Sequence, residues 1–341
     1  MEARTFGQHI FGEEIGMRPK TKLHAWPISF VFNMGGMGDF VNYAASTHWL
    51  MKNSPWVHGR IIAPRYLTPL MQDIHPKWEC IASEDFASKL VKGDAIVGPD
   101  IHINGVNTSR QFLTVVGAHP IDVGFAYYAG TTPAPIDGLL PVLDYPRDRV
   151  LKIKDLGRYA VIPTGNVQAS RKTTGKHINP LIMYCLMKNI TPVFLGKRDP
   201  LGNGKPHTSF ADDITYNLGV DLRDQTTVKE AACIMQHAEF TVGLDCGLLH
   251  LAALMKDSKV VFGYNITSVA HREPRRNHGK HVNVTLSESE LKCIGCQSKL
   301  KQVAKHKFDQ CLYGDTQCVD LLFQNEAEKF RRAIDQILEV N

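Results

Sequence analysis

A carboxylate, a glycine and a histidine stand close together in the segment Thr241 to Ala253, which reads TVGLDCGLLHLAA. The apolar residues before Asp245 predict a buried parallel strand, and the pattern from Leu248 predicts a helix. The first N–H groups of such a helix have no internal partners, so they can bind a phosphate. Asp245 can accept a hydrogen bond from a hydroxyl, and His250 can donate one to a phosphate. A structural interpretation is equally open, with Asp245 as a helix cap and His250 as a core residue.

The loop from Thr164 to His177 follows a predicted strand, Tyr159 to Pro163, and is basic. It combines small polar residues with Arg171, Lys172 and Lys176. Hydroxyl groups, backbone N–H groups and cations together suit a diphosphate, and a lysine can stabilise a leaving group. A solvated surface loop is the alternative interpretation.

These loops are expected to meet at one edge of a sheet. Lys176, Asp199 and Asp245 each lie in a loop that follows an apolar strand. Ligands of doubly wound sheets bind outside the carboxyl ends of the strands, so the three side chains are predicted to line one site.

The N-terminal half has one comparable loop. Strand formers from Ile28 to Asn33 precede the sequence MGGMGD at residues 34–39 and a helical pattern. The glycine spacing differs from G-x-G-x-x-G, and no acidic residue follows at a second strand end, which disfavours a nicotinamide cofactor. The loop places Asp39 at the mouth of the predicted sheet, either as a functional carboxylate or as a helix cap.

Strand and helix patterns alternate through both halves, which predicts α/β domains with parallel sheets. The other predicted strands are His58–Ala63, Trp78–Ile81, Ala95–Val97, Gln111–Val115, Thr191–Leu195, Asp221–Leu222, Phe240–Leu244 and Val260–Phe262. The other predicted helices are Val123–Tyr128, Asn179–Lys188, Ala211–Asn217, Thr227–His237 and the amphipathic Phe323–Leu338. Leu139–Leu143 is either a short strand or a packed loop.

Length and composition fit a globular protein of two domains. The chain has 341 residues, of which 43% are hydrophobic and 21% charged. Its net charge of +5 is only a weak indication of an anionic partner. The N-terminus lacks an apolar signal segment and no long apolar run follows, so we expect a cytoplasmic protein. The proline-rich stretch Thr131–Arg149 predicts a linker.

The segment Leu244 to Leu254 resembles the D-[ST]-G-x-x-H-x-A-A-x motif of glycosyltransferase family 9, the ADP-heptose:lipopolysaccharide heptosyltransferases. Further similar segments follow the order of the family and span nearly the whole chain. They are GGMGDF at 35–40, HPIDVGFAYYAG at 119–130, GKHIN around Lys176, VFLGKRD at 193–199 and the cysteine-bearing tail from Cys293.

The resemblance implies the GT-B fold, with two facing Rossmann-like doubly wound domains and a cleft between them. We assign residues 1–25 to an N-terminal arm, 26–145 to an acceptor-side domain and 146–322 to a nucleotide-sugar-binding domain. Residues 323–341 form a terminal helix that is expected to cross back to the first domain.

The resemblance also implies an inverting, metal-independent transfer of a sugar from a nucleotide-diphosphate sugar to an acceptor hydroxyl. Asp39 is then the general base, and Lys176 stabilises the diphosphate leaving group. The predicted donor-binding residues are Thr164, Gly165, Arg171, Lys172, Asp199, Asp245, Cys246, Gly247, Leu248 and His250. Gly36, Gly38 and His119 are predicted on the acceptor side.

Two departures from the family leave the base and sugar of the donor open. Cys246 replaces the usual Thr or Ser, and a His-Ile pair follows Lys176 where an aromatic residue is usual. No cofactor is required for this chemistry, because protein cations and helix N-termini can receive the diphosphate charge. An ADP-heptose-like donor is the favoured expectation.

Four cysteines near the C-terminus have the number of ligands that a structural zinc ion needs. They are spaced Cys293-x2-Cys296-x14-Cys311-x6-Cys318, with His306 nearby. The second pair lacks C-x-x-C spacing, so thiols packed under a loop are the default interpretation and no metal is assigned.

Other functions stay open at this level. The acceptor is a glycan or a lipopolysaccharide core, but basic residues and tryptophans in the N-terminal half are also compatible with a transferase that acts on hydroxymethylated DNA bases. A non-catalytic nucleotide-sugar binding protein needs Lys176 and Asp245 but not Asp39, and a sugar-nucleotide epimerase needs no acceptor. The basic residues are Arg60, Arg65, Lys77, Lys89 and Lys92, and the tryptophans are Trp26, Trp49, Trp56 and Trp78.

Overall fold

The chain forms two compact α/β units, Met1–Leu143 and Asp144–Asn341. The computed structural model describes residues 28–32, 36–85, 95–97, 119–124, 134–135, 137–164, 171–198, 213–296, 311 and 317–339. In these residues, no helix has the length and apolar character that a membrane crossing requires.

A four-stranded parallel sheet in the order β3-β2-β1-β4 forms the N-terminal unit. Its strands are β1 (Ile28–Val31), β2 (Gly59–Ala63), β3 (Glu79–Ala82) and β4 (Ala95–Val97). Its helices are α1 (Met37–Asn53), α2 (Thr68–Ile74) and α3 (Pro120–Gly124), and a 3-10 turn covers Ser83–Asp85.

Stacked rings fill the N-terminal core. The Trp78 ring stacks on Phe30 at 5.2 Å and on His75 at 5.9 Å between centroids. A Cβ atom on Gly59 would lie 2.4 Å from the Trp78 ring, so only glycine fits at this position of β2. His75 is fully buried in this stack and bonds Met71 O through Nδ1 and the Thr47 hydroxyl through Nε2, both at 2.9 Å.

We expect His75 to make the N-terminal unit sensitive to acid. Burial lowers the pKa of His75 to about 3. An unfolded chain takes up this proton near pH 6.5, so the folded state loses about 1.4 kcal/mol per pH unit below that value until the folded pKa is reached. Urea unfolding at pH 7.5 and pH 5.0 measures the loss, which is predicted to reach about 2 kcal/mol.

His75→Gln provides the control for this prediction. The variant is expected to be less stable at pH 7.5 but to lose less stability than the wild type on going to pH 5.0, because glutamine does not titrate. An equal loss in both proteins would show that His75 does not carry the pH dependence.

The C-terminal unit is built on a six-stranded parallel sheet in the order β10-β9-β8-β5-β6-β7. Its strands are β5 (Tyr159–Pro163), β6 (Thr191–Leu195), β7 (Val220–Asp221), β8 (Thr241–Leu244), β9 (Lys259–Gly263) and β10 (Lys280–Val284). Its helices are α4 (Gly175–Met187), α5 (Val228–Gln236), α6 (Gly247–Ala252), α7 (Val269–Arg272), α8 (Gln317–Leu322) and α9 (Gln324–Glu339). Short 3-10 turns cover Arg147–Arg149, Leu151–Ile153 and Tyr216–Leu218.

The terminal helix α9 packs on α4, β9 and β10 of its own unit. Phe330, Ile334 and Ile337 are buried in the same hydrophobic cluster as the apolar face of α4. The apolar stripe of α9 therefore faces the C-terminal sheet, and the expected crossing of the helix to the first domain stays a prediction.

Several predicted elements differ from the structure. The segment predicted as the helix Ala211–Asn217 contains, in its described part, a turn and the start of the 3-10 turn Tyr216–Leu218. Leu139–Leu143 forms no regular strand. The predicted strand Gln111–Val115 lies outside the described residues, as do residues 125–128 of the predicted helix Val123–Tyr128.

Candidate active site

Each sheet has one point at which the strand order reverses. In the C-terminal unit the chain runs from β5 to β6 and β7 on one side, and then continues with β8 on the other side of β5. In the N-terminal unit the corresponding point lies between β1 and β4. Ligands of doubly wound sheets bind outside the carboxyl ends of the strands at such points. The loops after β5 and β8 carry predicted donor-binding residues. The loop after β1 carries predicted acceptor-side residues.

Asp245, directly after β8, is buried with both carboxylate oxygens engaged. Its Oδ1 lies 2.8 Å from His250 Nε2. Its Oδ2 accepts a hydrogen bond of 2.9 Å from the Thr267 hydroxyl and pairs with Arg171 Nη2 at 3.1 Å. The Arg171 guanidinium also donates to the backbone carbonyl of Asp245 at 2.7 Å. One carboxylate therefore joins the loops after β5, β8 and β9.

The charges around Asp245 determine its protonation. Burial alone would raise the pKa of this carboxyl, but the Arg171 charge and the hydrogen bond from His250 lower it far below its usual range. Because an ionised carboxylate can only accept hydrogen bonds, the contact with Asp245 requires an N–H group at His250 Nε2 as the donor. His250 Nδ1 is buried and has no hydrogen-bond partner among the described residues.

This geometry changes the predicted roles of Asp245 and His250. We expected a hydroxyl acceptor and a phosphate donor, but the two side chains bond each other and are 3% and 2% exposed. The two side chains fix the loop after β8, and the N-cap of α6 is Cys246 rather than Asp245, while their contact with a donor stays a prediction. The pattern D-x4-H had no feature that distinguished these two roles.

The partly exposed residues of this segment directly follow Asp245. Cys246 is the N-cap of α6 in an extended conformation, and Cys246, Gly247 and Leu248 are partly exposed. Burial raises the pKa of the Cys246 thiol to about 11, although the Leu249 amide counteracts it. The thiol is therefore neutral at physiological pH and occupies the position of the hydroxyl that the family usually has.

The two cations after β5 differ in their surroundings. Arg171 is only 13% exposed and its guanidinium is bonded to Asp245, so it is a structural partner of the predicted donor loop. Lys172 is half-buried and has no ion-pair or hydrogen-bond partner in the described part of the chain. Lys172 is therefore the cation of this pair that a bound anion can use.

Lys176 lies in the first turn of α4 and is 64% exposed. Its Nζ lies 2.6 Å from Asp320 Oδ1, which also contacts His177 Nε2 at 2.7 Å. Burial lowers the pKa of His177, although Asp320 acts in the opposite direction. The His-Ile departure thus has a structural reason, because His177 anchors the first turn of α4 to α8.

Thr164 joins the ends of two strands at the same edge. Its N–H and its hydroxyl donate to the carbonyl of Leu195, at 2.7 Å and 3.1 Å. Gly196 packs so closely on this turn that a Cβ atom would lie 2.1 Å from Thr164 O. The predicted donor residues Gly165 and Asp199 lie outside the described residues.

Asp39 lies in the first turn of α1, at the switch point of the N-terminal sheet. Its Oδ2 accepts the Gly36 N–H at 3.1 Å, so the helix-cap interpretation is correct in geometry. Gly36 is exposed, and no described atom lies within 4 Å of a Cβ atom placed on it. Gly38 is buried in α1. His119 is 3% exposed, and its Nδ1 accepts the N–H of Ile121 at 3.1 Å.

The cysteine pair of the C-x-x-C segment forms a tight turn, with Gly295 at φ +68°. Burial raises the pKa of the Cys318 thiol to about 11. Within the described residues, no group of three or more His, Cys, Asp or Glu side chains has the arrangement of a metal site.

Two functional contacts were missed from the sequence. Thr267 lies in the loop after β9 and donates a hydrogen bond to Asp245. Its position as a polar residue shortly after a predicted strand was the only sequence feature that indicated this contact. Asp320 contacts Lys176 from α8, and no spacing rule connects residues so far apart in the chain.

A family comparison matches residues 204–304 to "Glycosyltransferase family 9 (heptosyltransferase)", a range that contains the Asp245 segment. No curated protein matches the chain significantly. The resemblance to glycosyltransferase family 9 is confirmed. The matched range covers part of the C-terminal unit.

Solved structures of low sequence identity share the fold over most of the chain. The iron-containing dodecameric glycosyltransferase TibC from enterotoxigenic E. coli is 16% identical, with a TM-score of 0.63 over 93% of this chain and 77% of its own. A family 9 glycosyltransferase from Veillonella parvula is 13% identical, with a TM-score of 0.60 over 93% and 98%. E. coli ADP-heptose lps heptosyltransferase II is 14% identical, with a TM-score of 0.59 over 91% and 98%. The predicted GT-B fold and the class of glycosyltransferase are confirmed.

Proposed function

We propose that this protein transfers a sugar from a nucleoside-diphosphate sugar to an acceptor hydroxyl with inversion at the anomeric carbon. The observation that carries the proposal is the loop after β8. It lies at the switch point of the six-stranded sheet, within the family match, and its residues Cys246, Gly247 and Leu248 are partly exposed while the Asp245 and His250 side chains are buried. Backbone N–H groups in such a loop are suited to a diphosphate.

The donor diphosphate is proposed to contact the backbone N–H groups of Cys246, Gly247 and Leu248 and the ammonium groups of Lys172 and Lys176. Lys172 has no partner among the described residues, and Lys176 keeps N–H donors beyond the one directed at Asp320. These positive groups can stabilise the charge that develops on the leaving diphosphate without reorganisation. Arg171, Asp245 and Thr267 hold the loops in place.

Asp39 is proposed as the general base. Its carboxylate takes the proton of the acceptor hydroxyl while the acceptor oxygen forms a bond to the anomeric carbon. The bond from that carbon to the diphosphate oxygen breaks, and the nucleoside diphosphate leaves with the electron pair. The charge balance is supplied by protein groups, so the proposed step requires no metal.

An ADP-heptose-like donor and a glycan or lipopolysaccharide acceptor are the preferred substrates. The support comes from proteins of the same fold, because TibC is described in complex with ADP-D-β-D-heptose and the E. coli protein is an ADP-heptose lps heptosyltransferase. Cys246 and His177 depart from the family pattern, so the donor base and sugar are the first features to test.

Thermal unfolding with ADP-, UDP- and GDP-sugars, each with and without EDTA, tests the donor. A ligand at a concentration of about 100 Kd stabilises the native state by about 2.7 kcal/mol, which is readily detected. We expect selective stabilisation by an ADP-sugar that EDTA does not change. Selective stabilisation by another nucleotide sugar would contradict the heptose assignment, and no stabilisation by any of them would contradict the donor site.

A structural metal at the four C-terminal cysteines is a separate question from the transfer reaction. The number of cysteines and the C-x-x-C turn make zinc the metal to measure first, and the description of TibC as iron-containing makes iron the other. Elemental analysis of the purified protein is expected to show about one metal per chain if the cysteines form such a site. Loss of that metal in Cys293→Ser/Cys296→Ser, with retention in Cys233→Ser, would locate it there.

A further inference from the structure

The carboxylate of Asp320 contacts two side chains in the first turn of α4. Its Oδ1 lies 2.6 Å from Lys176 Nζ and 2.7 Å from His177 Nε2, two neighbouring residues of that turn. The His177 ring is buried and packs at 5.3 Å from Phe323, one residue after the end of α8. Asp320 therefore holds one exposed side chain and one buried side chain at the same place.

Further contacts fix the backbone of this turn. Asp213 Oδ1 accepts the Gly175 N–H at 2.8 Å, and a Cβ atom on Gly175 would lie 2.4 Å from Asp213 O. His177 Nδ1 accepts the Thr174 N–H at 3.0 Å. The backbone under Lys176 is fixed from two directions, and its ammonium group is then fixed by Asp320.

We propose that Asp320 is a positioning residue that holds the Lys176 ammonium where the donor diphosphate binds. The inference rests on the function proposed above. A free lysine side chain loses rotamer entropy when a ligand immobilises it, and a preformed ion pair removes part of that cost. The ammonium group has three donors, so a contact to Asp320 leaves two for phosphate oxygens.

The negative charge of Asp320 also opposes a diphosphate. Lys176 and Asp320 are 64% and 48% exposed, so solvent screens this repulsion as it screens the ion pair, but Asp320 is also held by the buried His177 at 2.7 Å. Positioning of Lys176 is therefore expected to outweigh the repulsion between Asp320 and the diphosphate. Loss of the Asp320 charge then weakens diphosphate binding, whereas dominant repulsion would make that loss tighten binding.

The opposite end of α4 supplies a matched control. There Asp335 of α9 pairs with Lys188 at 2.8 Å and accepts a hydrogen bond from the Tyr184 hydroxyl at 2.5 Å. Like Asp320, Asp335 joins α4 to a C-terminal helix through a lysine and a second side chain. It lies at the end of α4 remote from the proposed donor site, so Asp335→Asn reports on the loss of such a link alone.

The experiment measures the dissociation constants of ADP and adenosine for the wild type, Asp320→Asn, Asp335→Asn, Lys176→Ala and the double variant Asp320→Asn/Lys176→Ala. Lys176→Ala is expected to weaken ADP about tenfold or more, as for a lost charged hydrogen bond. Asp320→Asn is expected to weaken ADP about threefold to tenfold while adenosine binding stays within about twofold. Asp335→Asn is expected to leave both ligands unchanged.

The double variant decides whether Asp320 acts through Lys176. We expect Asp320→Asn to add nothing once Lys176 is alanine. Equal weakening in both backgrounds, unchanged ADP affinity in Asp320→Asn, or tighter ADP binding would each overturn the inference. A Lys176→Ala protein with wild-type ADP affinity would instead contradict the proposed role of Lys176, and that outcome is distinct because it does not depend on Asp320. Thermal unfolding without ligand verifies that Asp320→Asn and Asp335→Asn are folded to the same extent.

Discussion

Replacement of Asp245 by asparagine is expected to lower the free energy of unfolding of the C-terminal unit by about 3–5 kcal/mol. The physical reason is the buried Arg171 guanidinium, which would lose its counter-charge while keeping its 13% exposed position. The carboxylate also accepts hydrogen bonds from Thr267 and His250, and an asparagine amide can replace only one of its two oxygens as an acceptor. Chemical denaturation at pH 7.5 measures this loss.

Two further variants make the Asp245 prediction specific. Asp144 forms an exposed pair with Lys256 at 2.9 Å, and Asp144→Asn is expected to leave the unfolding midpoint unchanged. In Arg171→Gln/Asp245→Asn neither charge is left unpaired, so the double variant is expected to be more stable than the sum of the single losses predicts. A loss in Asp245→Asn as small as that in Asp144→Asn would contradict the buried network.

Replacement of Asp39 by asparagine is expected to lower the turnover number by about 10²–10⁴-fold, the usual contribution of a general base. Donor affinity is expected to stay within about twofold, because the proposed donor contacts all lie in the C-terminal unit. Stability should change little, since an asparagine oxygen can still accept the Gly36 N–H that now bonds Asp39 at 3.1 Å. Steady-state transfer kinetics together with donor titration separate these effects.

Asp137→Asn is the control for the Asp39 variant. Asp137 also lies in the N-terminal unit and accepts a hydrogen bond from Trp49 Nε1 at 3.1 Å, but it has no proposed role in transfer. Its substitution is expected to leave turnover unchanged. Unaltered turnover in Asp39→Asn would remove the general base from the proposal, and loss of donor affinity with unchanged turnover would assign Asp39 to donor binding.

Buried parallel strands were the part of the fold that the sequence predicted best. The predicted bounds of Ala95–Val97, Tyr159–Pro163 and Thr191–Leu195 coincide with β4, β5 and β6. In β5 and β6 a short apolar run ends next to proline, glycine or a polar residue, and this pattern is typical of a strand covered on both faces. The edge strand β10 was missed, because its sequence KHVNV alternates polar and apolar residues and is only half-buried.

The contacts between side chains of the site could not be predicted from the sequence. The sequence placed Asp245 and Lys176 at the carboxyl edge of one sheet, since topology alone brings those loops to that edge. It could not show that His250 bonds Asp245 rather than a phosphate, or that Asp320 reaches Lys176. Those contacts depend on the packing of α6 and α8, which no local pattern in the sequence specifies.

Hydrogen–deuterium exchange with and without a saturating nucleotide sugar tests the central claim most directly, because it locates a bound donor on the chain. ADP-glucose or ADP-heptose is the probe, and equilibrium titration establishes saturation beforehand. We predict slower exchange in peptides that cover residues 171–177 and 244–250, with unchanged exchange in α2. Unchanged exchange in both segments at saturation, or protection confined to other parts of the protein, would contradict the proposed donor site.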